Sequence, residues 1–579
     1  MIRLHPCPKS AASDLGKSRS PAETVRAVRE RLEKLEAQGC HILAETRRVD
    51  VGRLGIPVYM SLCGDTARRF LPTRKQMGKG ATKEQAEASA LMELMERFGF
   101  FTFRAKEPLA RLGWKDAEKR FGRDLIPVDD ILRSVHDALP PDKARDALDT
   151  VVWDFVPATD ILNEREIILP INWFYALGEF NGSSAGNTAE ESILQGACEL
   201  VERHVCGRVD RERPELPTIR QDSLENPVLA DLLRRFREQG IILVLKDLSL
   251  GQPLPTVGAL AWDPATFPAK SEVVFTAGTA SSPAGAAIRA VTEVAQLGGD
   301  FITGSCYEAS GLPKFTHPDE AAWLLAGPEV SLDTLPSLEH PDLRDELLTL
   351  ARGLRDAGNP LYVLDTTNAE TGIPTHYCIA PGLAFRERDR NASLGLFIGR
   401  LLAEQEEDPA KSAHGLAVLD ELYPGAHWSP FFQGMLALRT GDLAAAVALF
   451  ARALPLQPDD EARALAAFYL AHTLTLGEKW DEAVPYLDTA IAHSPGVKEY
   501  YNLRGVCRFK TGAYREAGGD FLHVVTHLDK GSVMDIANLG FCHERMGNTQ
   551  EAVLWLQRAL ALDPGFDKVR QSLEKLLAR

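Results

Sequence analysis

Four alanines, Ala446, Ala483, Ala517 and Ala552, follow one another at intervals of 37, 34 and 35 residues, and that period constrains the chain more than any other feature. Four residues beyond each stands a large apolar side chain: Phe450, Leu487, Phe521 or Leu556. Twelve residues before each stands a small one: Gly434, Ala471, Gly505 or Gly540. Twelve residues beyond each comes a helix stop: Pro458, Pro495, Asp529 or Pro564. A period of this length is one helix pair per repeat, with the small residue of the first helix letting the second approach closely. Such a pair cannot bury its apolar face alone, so the copies have to stack into a curved solenoid. The stack is expected to begin near residue 428 and to be closed by the helix DKVRQSLEKLLAR.

These offsets resemble the tetratricopeptide repeat. The resemblance implies an all-α solenoid over 428–579, four repeats plus a capping helix, whose concave face takes a protein partner or peptide. The plain alternative is that it packs on its neighbour and extends a core. Ahead of it, LLAEQEEDPAKSAHG is acidic and helix-prone before its proline, so 401–427 is expected as a helical linker.

Residues 1–400 have another texture. Short β-branched or aromatic runs (TVVWDFVPA, EIILPINWF, IILVLKDL, SEVVFTAG, PLYVLDTT) alternate with longer amphipathic stretches, the pattern of an α/β or α+β domain. With 65 basic and 81 acidic residues the net charge is −16, which argues against DNA or an anionic membrane surface as the main partner. The start, MIRLHPCPKSAASD, lacks the apolar core of a signal peptide, and no run reaches the roughly 18 apolar residues of a membrane span. A cytoplasmic protein is expected. Its nine cysteines form no C-x-x-C pair, so they read as buried thiols of a reducing compartment rather than zinc ligands.

The chemistry is carried by acids on helices. GKGATKEQAEASALMELMERF, Gly78 to Phe98, reads as a helix with Ser89, Glu93 and Glu96 within roughly a 60° sector and Leu91, Leu94, Met95 and Phe98 opposite. SAGNTAEESILQGACELVERH slides onto it, so that Gly186 meets Gly80, Thr188 meets Thr82, Gln195 meets Ser89, Glu199 and Glu202 meet Glu93 and Glu96, and Arg203 meets Arg97. This is an internal duplication, and AGAAIRAVTEVAQ repeats the spacing with Arg289, Glu293 and Gln296. On the second helix Asn187, Glu191, Gln195, Glu199 and Glu202 make one polar stripe. A single acidic stripe is ordinarily a solvated face, but such faces are normally laced with lysine, and neither stripe carries one. Carboxylates converging from several helices need a hard cation between them, and an oxygen-only set without His or Cys indicates Mg2+, with open positions for phosphate oxygens. No G-x-x-x-x-G-K-[ST] occurs, so a magnesium nucleotide here is not held by a P-loop.

Together with the early LGKSRSPAETV, these three stretches resemble, in order, the motifs of the YcaO family of ATP-dependent enzymes that activate peptide backbone amides, over roughly residues 1–400. The resemblance implies ATP and Mg2+ as cofactors. It implies that Lys17 and Thr24 help close over the nucleotide, with Lys9 a competing candidate. Ser89, Asn187, Gln195, Arg203 and Gln296 are implied as contacts, and Glu93, Glu96, Glu191, Glu199, Glu202 and Glu293 as metal ligands, directly or through water. Arg289, placed near the phosphates, Glu202 and Glu293 are the implied catalytic residues. The plain alternatives are a helix cap at Asn187 and Thr188, surface pairs for Arg97 and Arg203, and solvation of Gln195 and Gln296.

The implied reaction resembles that of a kinase whose acceptor is an amide oxygen: a nucleophile attacks the amide carbon, and the oxygen leaves as phosphate. No protein nucleophile is required, so the attacking sulfur or oxygen comes from the substrate peptide or protein or from a sulfur donor. The lack of C-x-x-C pairs and of a P-x-P-x-P ending, with helical repeats instead, is similar to the stand-alone type linked to ribosomal-protein methylthiolation. A methylthiotransferase or sulfur-donor partner and a homodimer fit that type. An azoline- or thioamide-forming enzyme and a non-catalytic nucleotide-binding scaffold are the competing expectations.

Overall fold

In the computed structural model, the three acid-bearing helices each follow a short strand by the same three-residue step. Strand β3 (Lys75–Lys79) leads into α2 (Lys83–Arg104), β7 (Ser183–Ala185) into α3 (Ala189–Glu212), and β11 (Val274–Thr279) into α4 (Pro283–Gly298). The structure describes residues 1–11, 16–222, 224–308, 311–385 and 391–578, so Leu15 of LGKSRSPAETV and Arg386 to Arg390 lie outside the described residues. Each helix starts where a hydroxyl caps it: Thr82, Thr188 and Ser282 accept from the backbone N–H three residues on. The helices therefore begin at Lys83 and Ala189, and Gly78, Lys79, Ser184 and Ala185 are strand.

Every one of these strands is the edge of a different sheet. The first sheet is β1 (Leu43–Arg48), β2 (Val58–Cys63) and β3 in that order. The second is β4 (Ala110–Leu112), β5 (Trp153–Asp160), β13 (Tyr362–Asp365), β14 (Thr375–Ile379) and β7, with β6 (Arg165–Pro170) on β5. The third runs β11, β10 (Thr256–Trp262), β9 (Ile242–Asp247), β8 (Thr218–Ile219) and β12 (Glu329–Val330). Strand and helix approach within backbone contact in each unit. A Cβ on Gly78 would lie 2.1 Å from Ala90 N, and one on Gly278 would lie 2.4 Å from Ala286 O. In the second unit Ser184 stands at the strand position and the smallness passes to the helix, where a Cβ on Gly196 would lie 2.8 Å from Ser184 Oγ.

Five predicted strands are found as β5, β6, β9, β11 and β13, with one correction. EIILPINWF is strand only to Pro170; Ile171–Gly178 is helix, because Pro170 offers no N–H to continue the ladder and its successors bury Ile171, Trp173, Phe174 and Leu177 as a helical face. The faces of the acid helices are as read: Leu91, Leu94, Met95 and Phe98 pack with α1 (Pro21–Glu36) in one core. Seven cysteines are buried, but Cys40 is half-buried and Cys306 exposed, correcting the reading of all nine as buried thiols.

Two compact units result, Met1–Pro141 with Val152–Ala392, and Asp142–Val151 with Ser393–Arg579. The second is all helix, and residues 401–427 lie within it as the end of α5 (Leu394–Glu404) and as α6 (Pro409–Leu422). Four helix pairs follow, Ser429–Arg439 with Leu443–Ala453, Asp460–Leu476 with Trp480–His493, Lys498–Lys510 with Tyr514–His523, and Val533–Arg545 with Thr549–Leu562, and Asp567–Leu577 closes the stack. Small and large residues meet as the period implies: a Cβ on Gly505 would lie 2.7 Å from the Phe521 ring, and one on Gly540 would lie 2.8 Å from Leu556. Where the stop is Asp529 rather than proline, the helix runs on through a widened turn, Val524–Leu528. Among the described residues no helix is long and apolar enough to cross a membrane.

Two imidazoles set an acid limit on the first unit. Burial depresses His376 and His204 from their ordinary value to about 4, and His204 Nδ1 accepts from Ala384 N at 3.0 Å, a bond only the neutral ring makes. A base depressed in the folded state contributes stability that is full above the unfolded value near 6.5 and is lost as pH falls through the folded one. Urea unfolding of the metal-free protein should therefore show a loss of about 2 kcal/mol from His376 alone between pH 7 and pH 5. His376→Gln, which cannot titrate, should flatten that dependence.

Candidate active site

The polar faces of α2, α3 and α4 come together. Glu93 and Glu96 stand within electrostatic range of Glu199, and Glu202 within range of Glu293. Arginines of the same helices lie among them: Arg97 Nη1 is 3.2 Å from Glu96, Arg97 Nη2 is 3.7 Å from Glu93, and Arg203 Nη2 is 3.6 Å from Glu199. Only about a fifth of the Arg97 and Arg203 side chains is exposed, so these are not surface pairs.

Each acid helix is also held by a strand belonging to another unit. Lys79, at the end of β3, pairs with Glu293 of α4. Ser183 of β7 donates its hydroxyl to Glu96 of α2 at 2.7 Å. The Thr279 N–H at the end of β11 donates to Glu202 of α3 at 2.9 Å. The first unit braces the third, the third the second, and the second the first.

Burial and crowding set the charges. Burial pushes the Glu96 carboxyl up to about 8, opposed by Arg97 and reinforced by Glu199 and Glu93. Glu93 and Glu202 are raised for the same first reason. For Glu293 burial also acts upward, but Lys79, then Arg203 and Arg289, reverse it and hold the carboxyl below its ordinary value. Arg97 and Arg203 are raised further, the acids outweighing burial.

A cavity of about 350 Å3 opens beside this cluster, walled by α3, by the β11–α4 turn and by the N-terminal segment. Lys17, Gln195 and Arg289 converge on it: Gln195 Oε1 accepts from Arg289 Nη1 at 3.0 Å and from Lys17 Nζ at 3.4 Å. Gln195 is thus a buried-site acceptor and not a solvated side chain. Arg289 Nε is buried and meets no hydrogen-bond acceptor among the described residues. Glu191 lines the cavity, accepting from Ser18 N, Ser18 Oγ and Asn187 Nδ2 at 3.0, 2.6 and 3.0 Å. It stands eight residues before Glu199, about 12 Å along the helix, and so apart from the other acids.

The remaining predicted residues are more peripheral. Thr24 is buried and donates to Asn187 Oδ1 at 3.1 Å, so it holds another residue instead of lining the cavity. Thr188 does cap its helix, while Asn187 is engaged by Thr24 and Glu191. Ser89 is half-buried at the α2 position that Arg289 takes in α4, and Gln296 is half-buried at the α4 position that Glu96 takes in α2. Lys9 reaches the cavity edge on the other side, where Nζ lies 2.5 Å from the buried Glu346. Sequence reasoning missed Lys79, Ser183, Ser18 and Glu346; of these Lys79 had the one local signal, a lysine flanked by glycines, but its place at a strand end shows only in the structure.

The donor set suits a magnesium nucleotide in kind. The acids offer hard oxygens alone, and Arg289, whose guanidinium lines the cavity wall, has a buried Nε without an acceptor among the described residues, which leaves positive charge there for an anion to balance. Among the described residues no three acid, imidazole or thiol groups close on one point at metal-ligand distance, because the arginines and Lys79 engage them.

Comparison with known proteins agrees with this chemistry. Residues 77–384 match the model of the YcaO cyclodehydratase, an ATP- and Mg2+-binding family, and 429–461, 474–531 and 536–566 match tetratricopeptide-repeat models. An uncharacterized protein of Methanothermobacter thermautotrophicus is 25% identical over 399 residues, 63% of this chain and 94% of that one. The ribosomal protein S12 methylthiotransferase accessory factor YcaO of Escherichia coli is 31% identical over 212 residues, 32% of this chain and 35% of its own length. A heterocyclase solved with substrate and cofactor shares the fold at a TM-score of 0.51 with 20% identity, over 66% of this chain and 54% of that one. The chain belongs to the YcaO family, whose cofactors are ATP and Mg2+, and carries tetratricopeptide repeats behind its YcaO domain.

Proposed function

We propose that the chain is an enzyme that uses ATP and Mg2+ to phosphorylate the oxygen of a peptide or protein backbone amide. One observation carries the reading: three helices that follow strands of three sheets bring Glu93, Glu96, Glu199, Glu202 and Glu293 into one electrostatic cluster, beside a cavity that Arg289 lines. When bound, Mg-ATP supplies a transferable phosphoryl group. The five acids would hold the metal, and Arg289 and Arg203 would balance phosphate charge. Gln195 fixes the orientation of Arg289 and Lys17. Glu191, held by Ser18 and by Asn187, which Thr24 in turn engages, lines the cavity. Ser89 and Gln296 would complete the polar face. With Glu96 held by Ser183 and Glu202 by the Thr279 N–H, these two acids are already oriented, which limits the reorganisation that accompanies the charge developing on transfer.

In this reading the YcaO-like part, expected over 1–400, holds the nucleotide, and the repeats over 428–579 recruit the substrate or a partner protein in the cytoplasm. The likeness to the E. coli accessory factor supports a link to ribosomal-protein methylthiolation; the heterocyclase fold keeps azoline or thioamide formation as the competing outcome. Two measurements test the reading. Calorimetry should show millimolar or tighter Mg-ATP binding, and no binding would end the catalytic reading. Mass spectrometry of ribosomal proteins from a deletion strain should show lost methylthiolation; unchanged methylthiolation with loss of an azoline or thioamide elsewhere would move the chain to the other branch.

A further inference from the structure

We propose that Lys79 is a resident counter-ion of the metal site, which engages Glu293 in the metal-free protein and yields it to the incoming divalent cation. The inference rests on the reading of Glu293 as a metal ligand. Four observations lead to it. Lys79 pairs with Glu293 through Oε2, one of the two oxygens a metal would use. Among the described residues it is the cation of the cluster that comes from a strand end, whereas Arg97 and Arg203 lie on the acid helices one or four residues from their partners. Arg97 is further fixed by the Phe180 ring, 3.9 Å from its guanidinium carbon. Lys79 has a flexible four-carbon stem and a side chain 23% exposed, so it has both the freedom and the path to withdraw.

The charges give the exchange a reason. Glu293 faces Glu202 and Glu93 as well as Arg203 and Arg289. Without a cation at Glu293 the cluster holds an unbalanced carboxylate among carboxylates, which is costly in a half-buried place. A monovalent group on a tether keeps the acids together until a divalent one outcompetes it. The same competition means that Lys79 weakens metal binding in the absence of nucleotide, opposite to what a residue that merely shaped the ligand set would do.

The experiment titrates Mn2+, as a spectroscopic stand-in for Mg2+, into the nucleotide-free full-length protein and follows free Mn2+ by electron paramagnetic resonance. Lys79→Met should bind Mn2+ about tenfold more tightly than the wild type, the order expected when one opposing charge is removed at a partly screened contact. Lys79→Arg, which keeps the charge, should stay near the wild type. In a Glu293→Gln background Lys79→Met should change the affinity by less than about twofold. Unchanged or weaker Mn2+ binding by Lys79→Met would overturn the proposal and leave Lys79 as a strut for Glu293. Failure of the wild type to bind Mn2+ at all would instead overturn the metal-site reading beneath it. Should Lys79→Met not fold, Lys79→Gln carries the same expectation, and circular dichroism of each variant separates misfolding from loss of binding.

Discussion

Glu202→Gln is expected to lower ATP turnover by roughly 10^2-fold or more while leaving the fold intact, a loss typical of removing a charged group that acts on the transferred phosphoryl. The change is small in shape. The amide oxygen still accepts from Thr279 N, and the side chain, 6% exposed, keeps its place on α3. What disappears is the negative charge. Because burial raises the Glu202 carboxyl, the metal-free fold loses stability as pH rises above the ordinary carboxylate value, a loss that a neutral amide does not carry. The metal-free variant should therefore melt no lower than the wild type at pH 8. Colorimetric phosphate release and differential scanning calorimetry together check this: low turnover with a lowered melting temperature would indicate that Glu202 is structural.

Gly78→Ala is expected to cost ~3 kcal/mol or more, at the upper end of overpacking effects, because the obstacle is backbone and cannot swing aside. Its Cβ would lie 2.1 Å from Ala90 N and 2.3 Å from Ala86 O, so α2 would have to move off β3. Glu93 and Glu96 lie on the next two turns of that helix, and nucleotide binding should weaken along with stability. Gly519→Ala is the control: it sits in a helix with nothing within 4 Å of its Cβ, and should stabilise its helix by ~0.5–1 kcal/mol. Denaturant midpoints of the two variants separate the outcomes. A Gly78→Ala protein as stable as the wild type would contradict the close strand–helix packing.

The repeats were legible because their signal is local and recurs four times; Gly505 against Phe521 is the period made physical. The acid helices were legible because Glu93 and Glu96, and Glu199 and Glu202, share a face by spacing alone. Strand β1 escaped notice because it is largely exposed and shows no apolar run, and β3 because KQMGK carries a single methionine among polar residues and glycine. Lys79 escaped for another reason: its meaning lies in Glu293, 214 residues away, and helix periodicity carries no information about what a strand end from another sheet delivers. Ser183 is similar, an ordinary serine until β7 aims it at Glu96. Arg97 and Arg203 were visible as residues, but whether they faced water or lay half-buried among the acids was decided by packing.

The crossed bracing of the three units has a consequence for how such a site comes into being. Its three links join residues 87, 77 and 214 positions apart in the chain, and they close in a ring, so none of the three strand–helix units contains a finished set of carboxylate and orienting donor. A nascent chain that has made two units holds a Glu96 with its serine but a Glu202 without its amide. Competence for metal and nucleotide should thus appear in a single late step, when the third unit docks, and a folding intermediate should be unable to squander ATP. The same ring makes the three units interdependent: removing any one strand-end donor disarms an acid on a neighbouring unit.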